Sequence, residues 1–205
     1  FVPMGVVSIL WYMVLFSLCF GESVGFFGNP GTYLFSTNVN ATEALVREGE
    51  IFVDGIPGLL FMAYQGMFAV ITPALMTGAF ADRFRFKAYV VFIVLWMVLV
   101  YCPFCHWVWG GGWMAEWGVW DFAGGIVVHI TAGFSALATI LIVGKREVAE
   151  GEDLDEPHNM PFVALGTALL WFGWFGFNGG SALGSSGTAV AASVNSEIAA
   201  SVALL

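Results

Sequence analysis

Long apolar windows separated by short polar stretches dominate the chain, and the positions of the charges set the predicted elements. Six windows carry no charge or almost none: residues 2–20, 55–81, 88–107, 122–143, 161–178 and 188–205. Each is close to the ~20 residues that an α-helix needs to cross the hydrocarbon core of a bilayer. The pattern predicts an all-α fold, a polytopic membrane helix bundle, with residues 1–205 forming a single transmembrane domain fragment. Pro57 and Pro73 mark the second window as a kinked helix, tolerated where neighbouring helices satisfy the freed carbonyls. Glu197 sits in the last window and is expected to face protein or water if that segment spans.

Composition agrees with this reading. The chain is 59% hydrophobic and only 10% charged, a balance outside the range of soluble domains. Its many phenylalanines and tryptophans suit lipid-facing surfaces and interfacial belts. The net charge of −9 comes mostly from loops and argues against a nucleic-acid partner. Cys19, Cys102 and Cys105 are too few and too unevenly placed for a disulfide framework, and Cys19 reads as buried packing. The chain opens on FVPMGVV and stops at ASVALL inside an apolar run, which makes a fragment of a longer protein the expectation.

Basic residues set the predicted orientation, because cytoplasmic loops retain Lys and Arg. Arg83, Arg85 and Lys87 lie between the second and third windows, Lys145 and Arg146 follow the fourth, and Arg47 alone stands elsewhere. The side carrying residues 21–54, 108–121 and 179–187 is therefore taken as outer. The acidic run at 147–159 becomes a solvated cytosolic loop. Asn40-Ala41-Thr42 is a glycosylation sequon on the outer side.

One stretch carries the main chemical question. In DFAGGIVVHITAGF (121–134) a histidine sits among small and apolar residues, about 12 Å deeper than Asp121 at 1.5 Å per helical residue. Gly125, His129, Gly133 and Ala136 share one face by their spacing of three and four. Two readings stand: a close helix-packing face around a satisfied imidazole, or a narrow lumen with an intramembrane functional group. Asp121 reads as the N-cap of the fourth helix. The loop 105–121 holds five tryptophans, at 107, 109, 113, 117 and 120. They fit an interfacial belt, and any that faces a mouth could hold a cation on its ring. CPFCH (102–106) matches a haem-attachment pattern, but no haem-enclosing domain accompanies it. A zinc site would need ligands beyond His129 and His158. The glycine runs lack a phosphate-loop context, and no set of nucleophile, base and orienter marks an enzyme. Neither a cofactor nor a metal is expected.

Read together, QGMFAVITPALMTGAFADRFRF (65–86), HWVWGGG (106–112), DFAGGIVVHITAGF (121–134) and WFGWFGFNGGSAL (171–183) closely resemble the ammonium transporters of the Amt/Mep/Rh family. The likeness runs through nearly the whole chain. It implies an ammonium-transporter fold with inverted repeats, present here only in part, with the first helix absent and the chain ending within the seventh. It implies that Trp109, Ser181, Phe68 and Asp121 make the outer ammonium site, that Phe68 and Phe177 form a phenyl gate, and that His129 is one of two pore histidines. Trp109 favours the Amt/Mep side of the family. The cysteines of CPFCH fall outside the family pattern, whereas His106 belongs to it.

The implied function is uptake of ammonium, with methylammonium as a second substrate, by a homotrimeric multi-pass protein of the plasma membrane. An ammonium sensor with little transport is the alternative. Size cannot separate ammonium from potassium, but its N–H donors and its dissociable proton can. An unpaired ion in an apolar lining is costly, so the expected route binds the cation outside, removes its proton near the gate and conducts ammonia past a neutral imidazole.

Overall fold

A computed structural model of the chain describes residues 1–146 and 159–205. The acidic run, save Asn159, and His158 lie outside the described residues. Among the described residues, five helical stretches are long and apolar enough to cross a membrane: Val2–Phe20, Gly58–Phe80, Phe86–Glu116, Gly125–Val143 and Met160–Ala182. The sixth window is helical too, over Gly187–Leu204, with alanines and serines diluting its apolar character. We number the helices α1 (Val2–Phe20), α2 (Gly58–Phe80), α3 (residues 86–108), α4 (Trp113–Glu116), α5 (Gly125–Val143), α6 (Met160–Gly179) and α7 (Gly187–Leu204). The chain divides into two compact units, Phe1–Lys145 and Arg146–Leu205.

In the first unit, α1 and α2 meet through aromatic side chains and one polar anchor. The indole Nε1 of Trp11 donates to the Met62 carbonyl at 2.8 Å, a bond that matters because lipid offers no water to a stranded donor. Gly66 makes room for it, since a Cβ there would sit 3.0 Å from the indole ring. Phe16, Phe20 and Phe61 pack next to this contact, with Phe20 and Phe61 edge to face at 5.0 Å. Shape and hydrogen bonding decide such contacts, because lipid tails are as apolar as the side chains themselves.

Wide π turns interrupt α1 at Trp11–Leu15, α3 at Met97–Tyr101 and α5 at Gly125–Ile130. Each inserts extra backbone and re-aims the residues beyond it. In α3 the wide turn precedes Pro103, which has no N–H to give to the ladder. Pro73 lies inside α2, and that helix breaks and restarts just beyond it, at Met76. Pro57 is the extended residue before α2, so it starts the helix rather than bending it. Arg83 donates to the carbonyl of Gly144 at 2.6 Å, placing a cation on the C-terminus of α5 where the helix dipole favours it.

The segment 21–54 carries structure beyond the all-helical expectation. Leu45–Arg47 (β1) and Glu50–Val53 (β2) pair antiparallel, with Arg47 opposite Glu50 and an irregularity that leaves Phe52 as a bulge. Glu48 and Gly49 join them with φ of 54° and 81°, the signature of a two-residue type I′ turn. Tyr33, 1% exposed, donates its hydroxyl to the Val46 carbonyl at 2.8 Å. Burial pushes that hydroxyl's pKa up to about 12, with Glu22 adding to the rise and Arg47 opposing it.

The second unit is a helix pair. Asn159 caps α6 by accepting from Phe162 N–H, and Ser186 caps α7 by accepting from Ala189 N–H. Asn178 donates to Ser196 at 2.7 Å, and Trp171 donates to the Glu197 carboxylate at 3.0 Å. Glu197 thus has a partner on α6, although its side chain stays exposed within this helix pair.

Candidate functional site

Asp121 organises the N-terminal start of α5. Its Oδ1 accepts from the N–H groups of Gly124 and Gly125 at 2.6 and 2.8 Å, and its Oδ2 from those of Ile126 and Val127 at 2.8 and 2.9 Å. One carboxylate therefore collects the N–H groups that a helix start leaves without partners, and its charge lies on the positive end of the dipole. Asp121 does cap this helix, but from three residues before the N-cap position, which is Gly124 and not Asp121 as the sequence suggested. Gly124 takes a φ of 105°, and a Cβ there would press on Val128 at 2.7 Å, so the turn requires glycine.

The same residue fixes Trp109. The indole Nε1 of Trp109 donates to the Asp121 carbonyl at 2.8 Å, and the ring meets Phe68 edge to face at 5.5 Å. Phe68 is buried and packs in turn on Tyr64 at 5.1 Å. This contact chain separates Trp109 from its neighbours in sequence. Trp107, Trp113 and Trp117 run in a separate series of ring contacts beginning at Phe26, and Trp120 is 86% exposed. Among these tryptophans it is Trp109 whose described contacts join Asp121 and Phe68.

His129 lies within the wide turn of α5, its N–H reaching the Gly124 carbonyl at 2.9 Å. It lines a groove with Ile130, Gly133, Phe134 and Leu137. The spacing of four to Gly133 holds. Ala136 is replaced on this lining by Leu137, the shift that a wide turn among α turns introduces.

In the second unit Phe177 stacks on Trp174 at 4.8 Å. Ser181 donates its hydroxyl hydrogen to the Phe177 carbonyl at 2.8 Å, which turns the hydroxyl oxygen into an acceptor for any further partner. The described contacts thus gather Phe68, Trp109 and Asp121 in one unit and Trp174, Phe177 and Ser181 in the other. Tyr64 and Trp174 escaped the sequence reading; only their ring contacts reveal them.

The C-x-x-C-H run serves packing. Cys102 and Cys105 are fully buried beside Cys19. His106 is buried with Nδ1 on the Cys19 carbonyl and Nε2 on the Ser23 hydroxyl, both at 2.9 Å. Neither thiols enclosed in this way nor an imidazole engaged at both nitrogens suit an attached haem.

The whole chain, residues 1–205, matches the model of the Ammonium Transporter Family. It is 43% identical over 206 residues to an ammonium transporter of Aquifex aeolicus, covering 100% of this chain and 46% of that protein. It is 42% identical to the ammonium transporter Amt1 of Archaeoglobus fulgidus, covering 99% of this chain and 48% of that one. The crystal structure of Candida albicans Mep2 superposes with a TM-score of 0.79 at 39% identity, over 94% of this chain and 42% of that one. The chain spans about half the length of the relatives it matches. Sequence, helical architecture and relatives converge: this chain belongs to the ammonium transporter family of polytopic membrane proteins.

Proposed function

We propose that the full-length protein takes up ammonium across the plasma membrane as a homotrimer, with methylammonium as an alternative substrate. The observation that carries the reading is the coupling of Trp109 to both Phe68 and Asp121, above a helix that bears His129. On the resemblance of WFGWFGFNGGSAL (171–183) to the family, we take Phe177 and Ser181 to serve the same cation.

In this reading residues 1–205 are part of one transmembrane domain. The cation is attracted by the ring face of Trp109, an interaction of about 0.5–2 kcal/mol. Ser181 accepts one of its N–H bonds, and the Asp121 carboxylate steadies the site by holding the helix start and the tryptophan. In this reading the route beyond the phenyl gate is apolar. A fixed charge at such depth costs roughly 3 kcal/mol even on gentle scales, so ammonium leaves its proton near the gate and continues as ammonia. A neutral His129 accepts and donates hydrogen bonds along that route. Potassium, which has no proton to lose, stops at the gate.

The test is uptake of radiolabelled methylammonium by cells lacking their own ammonium transporters. The full-length protein is expected to restore uptake. Trp109→Leu should raise the half-saturation concentration about 2- to 30-fold, the range set by the ring-face energy. His129→Ala should alter flux or discrimination against potassium. Binding without uptake would favour the sensor reading, and a His129→Ala protein with normal flux and selectivity would remove the role given to the imidazole.

A further inference from the structure

Arg47 is the one basic residue that the charge pattern leaves on the outer side, and a fixed positive charge near the mouth of a cation pathway needs a reason. Its partners supply one. The Nη1 group donates to the Gly110 carbonyl at 2.6 Å and reaches the carbonyls of Phe20 and Gly21 at 3.4 and 3.5 Å. The guanidinium also lies 3.9 Å from the centroid of the Phe52 ring. Among the described residues none of its bonds goes to a carboxylate. The charge is spent on backbone oxygens and a ring face.

Gly110 directly follows Trp109; the N–H groups of Gly110 and Gly112 still reach back to the Cys105 and His106 carbonyls at 3.0 Å, but the Gly110 carbonyl is taken by Arg47. Three glycines in succession leave α3 there, with Gly111 at a φ of 79°, and glycine visits left- and right-handed backbone about equally. Packing forbids side chains that would stiffen the turn. A Cβ on Gly110 would land on the Cys19 carbonyl, and one on Gly111 would meet Nη2 of Arg47 at 2.8 Å. The clamp itself is stiff, because Arg47 ends β1 immediately before the tight Glu48–Gly49 turn.

We infer that Arg47 is a positioning residue for the outer site: its guanidinium pins the Gly110 carbonyl to the end of α1 and so sets the backbone direction of Trp109. The indole is then held at two ends, by Arg47 through the backbone and by the Asp121 carbonyl through Nε1. The inference rests on Trp109 being the cation site. A lysine ammonium keeps the charge and its donors but lacks the planar guanidinium that lies on the Phe52 ring while its Nη1 reaches these carbonyls.

The test compares Arg47→Gln and Arg47→Lys in the full-length protein. Methylammonium uptake is measured over a concentration range, together with fluorine NMR of fluorotryptophan-labelled protein in which the Trp109 resonance is assigned by its loss in Trp109→Phe. Arg47→Gln should raise the half-saturation concentration about tenfold, the factor carried by one charge-assisted hydrogen bond, with the maximal rate kept and the Trp109 resonance moved. Arg47→Lys should give about a threefold rise and is the variant to use if the glutamine protein does not accumulate. A lowered half-saturation concentration in Arg47→Gln would mean that the guanidinium acts by repelling the cation, and would overturn the inference. An unmoved Trp109 resonance, or a loss of maximal rate at unchanged half-saturation, would overturn it as well. If the wild-type protein takes up no methylammonium, the transport reading fails, while the resonance still decides whether Arg47 positions the tryptophan.

Discussion

Replacing Asp121 by asparagine changes one atom's chemistry at the start of α5 while keeping the shape of the side chain. The amide oxygen can go on accepting from Gly124 and Gly125. The amide nitrogen then faces the N–H groups of Ile126 and Val127, which Oδ2 now serves at 2.8 and 2.9 Å, so two donors confront a donor. Hydrogen bonds to a charged group are worth about 1.5–3 kcal/mol each. Because the helix start is partly open to water, the lower end applies, giving a loss of roughly 3 kcal/mol. For a full-length protein about twice as long as this chain, whose unfolding entropy is correspondingly about twice as large, that corresponds to a fall in melting temperature of about 3–6 °C. The damage also reaches Trp109, whose Nε1 depends on the Asp121 carbonyl. Thermal unfolding of the purified full-length protein, paired with methylammonium uptake, measures both effects. An asparagine protein that melts within about 2 °C of wild type and transports with unchanged half-saturation would refute the claim that the carboxylate organises this corner.

The geometry sets two further outcomes. Gly110→Ala should fail to yield a folded protein, because its Cβ would occupy the space of the Cys19 carbonyl and lie 2.7 Å from His106 Nδ1; normal expression and thermal stability would contradict the backbone-to-backbone contact. Tyr33 predicts an alkaline effect. Its hydroxyl ionises near 10 in an unfolded chain and at about 12 when folded, so its contribution is complete below pH 10 and is lost as the pH rises through 12. Melting temperatures taken across that window should fall in the wild type, and Tyr33→Phe should flatten this part of the decline; an identical profile in both proteins would exclude the tyrosine as its source.

The sequence by itself determined the features that local chemistry dictates. Apolar windows of bilayer length became helices, because a backbone in lipid has to satisfy its own hydrogen bonds. Asp121 could be read as a cap because the unpaired N–H groups of a helix start lie within a few residues of it, and the resemblance to the family put forward Trp109, Phe68, His129, Phe177 and Ser181 as candidates. Tertiary structure alone decided the rest. Five tryptophans in one loop look alike until the Asp121 carbonyl and Phe68 single out Trp109. The C-x-x-C-H run looks like chemistry until Cys19 and Ser23, far away in sequence, engage its histidine. Arg47 looks like an exception to a charge rule until Gly110, 63 residues distant in sequence, accepts its hydrogen bond. Local periodicity carries no information about a partner on another element, so the roles of these residues are fixed only when folding brings distant backbone carbonyls within hydrogen-bonding distance.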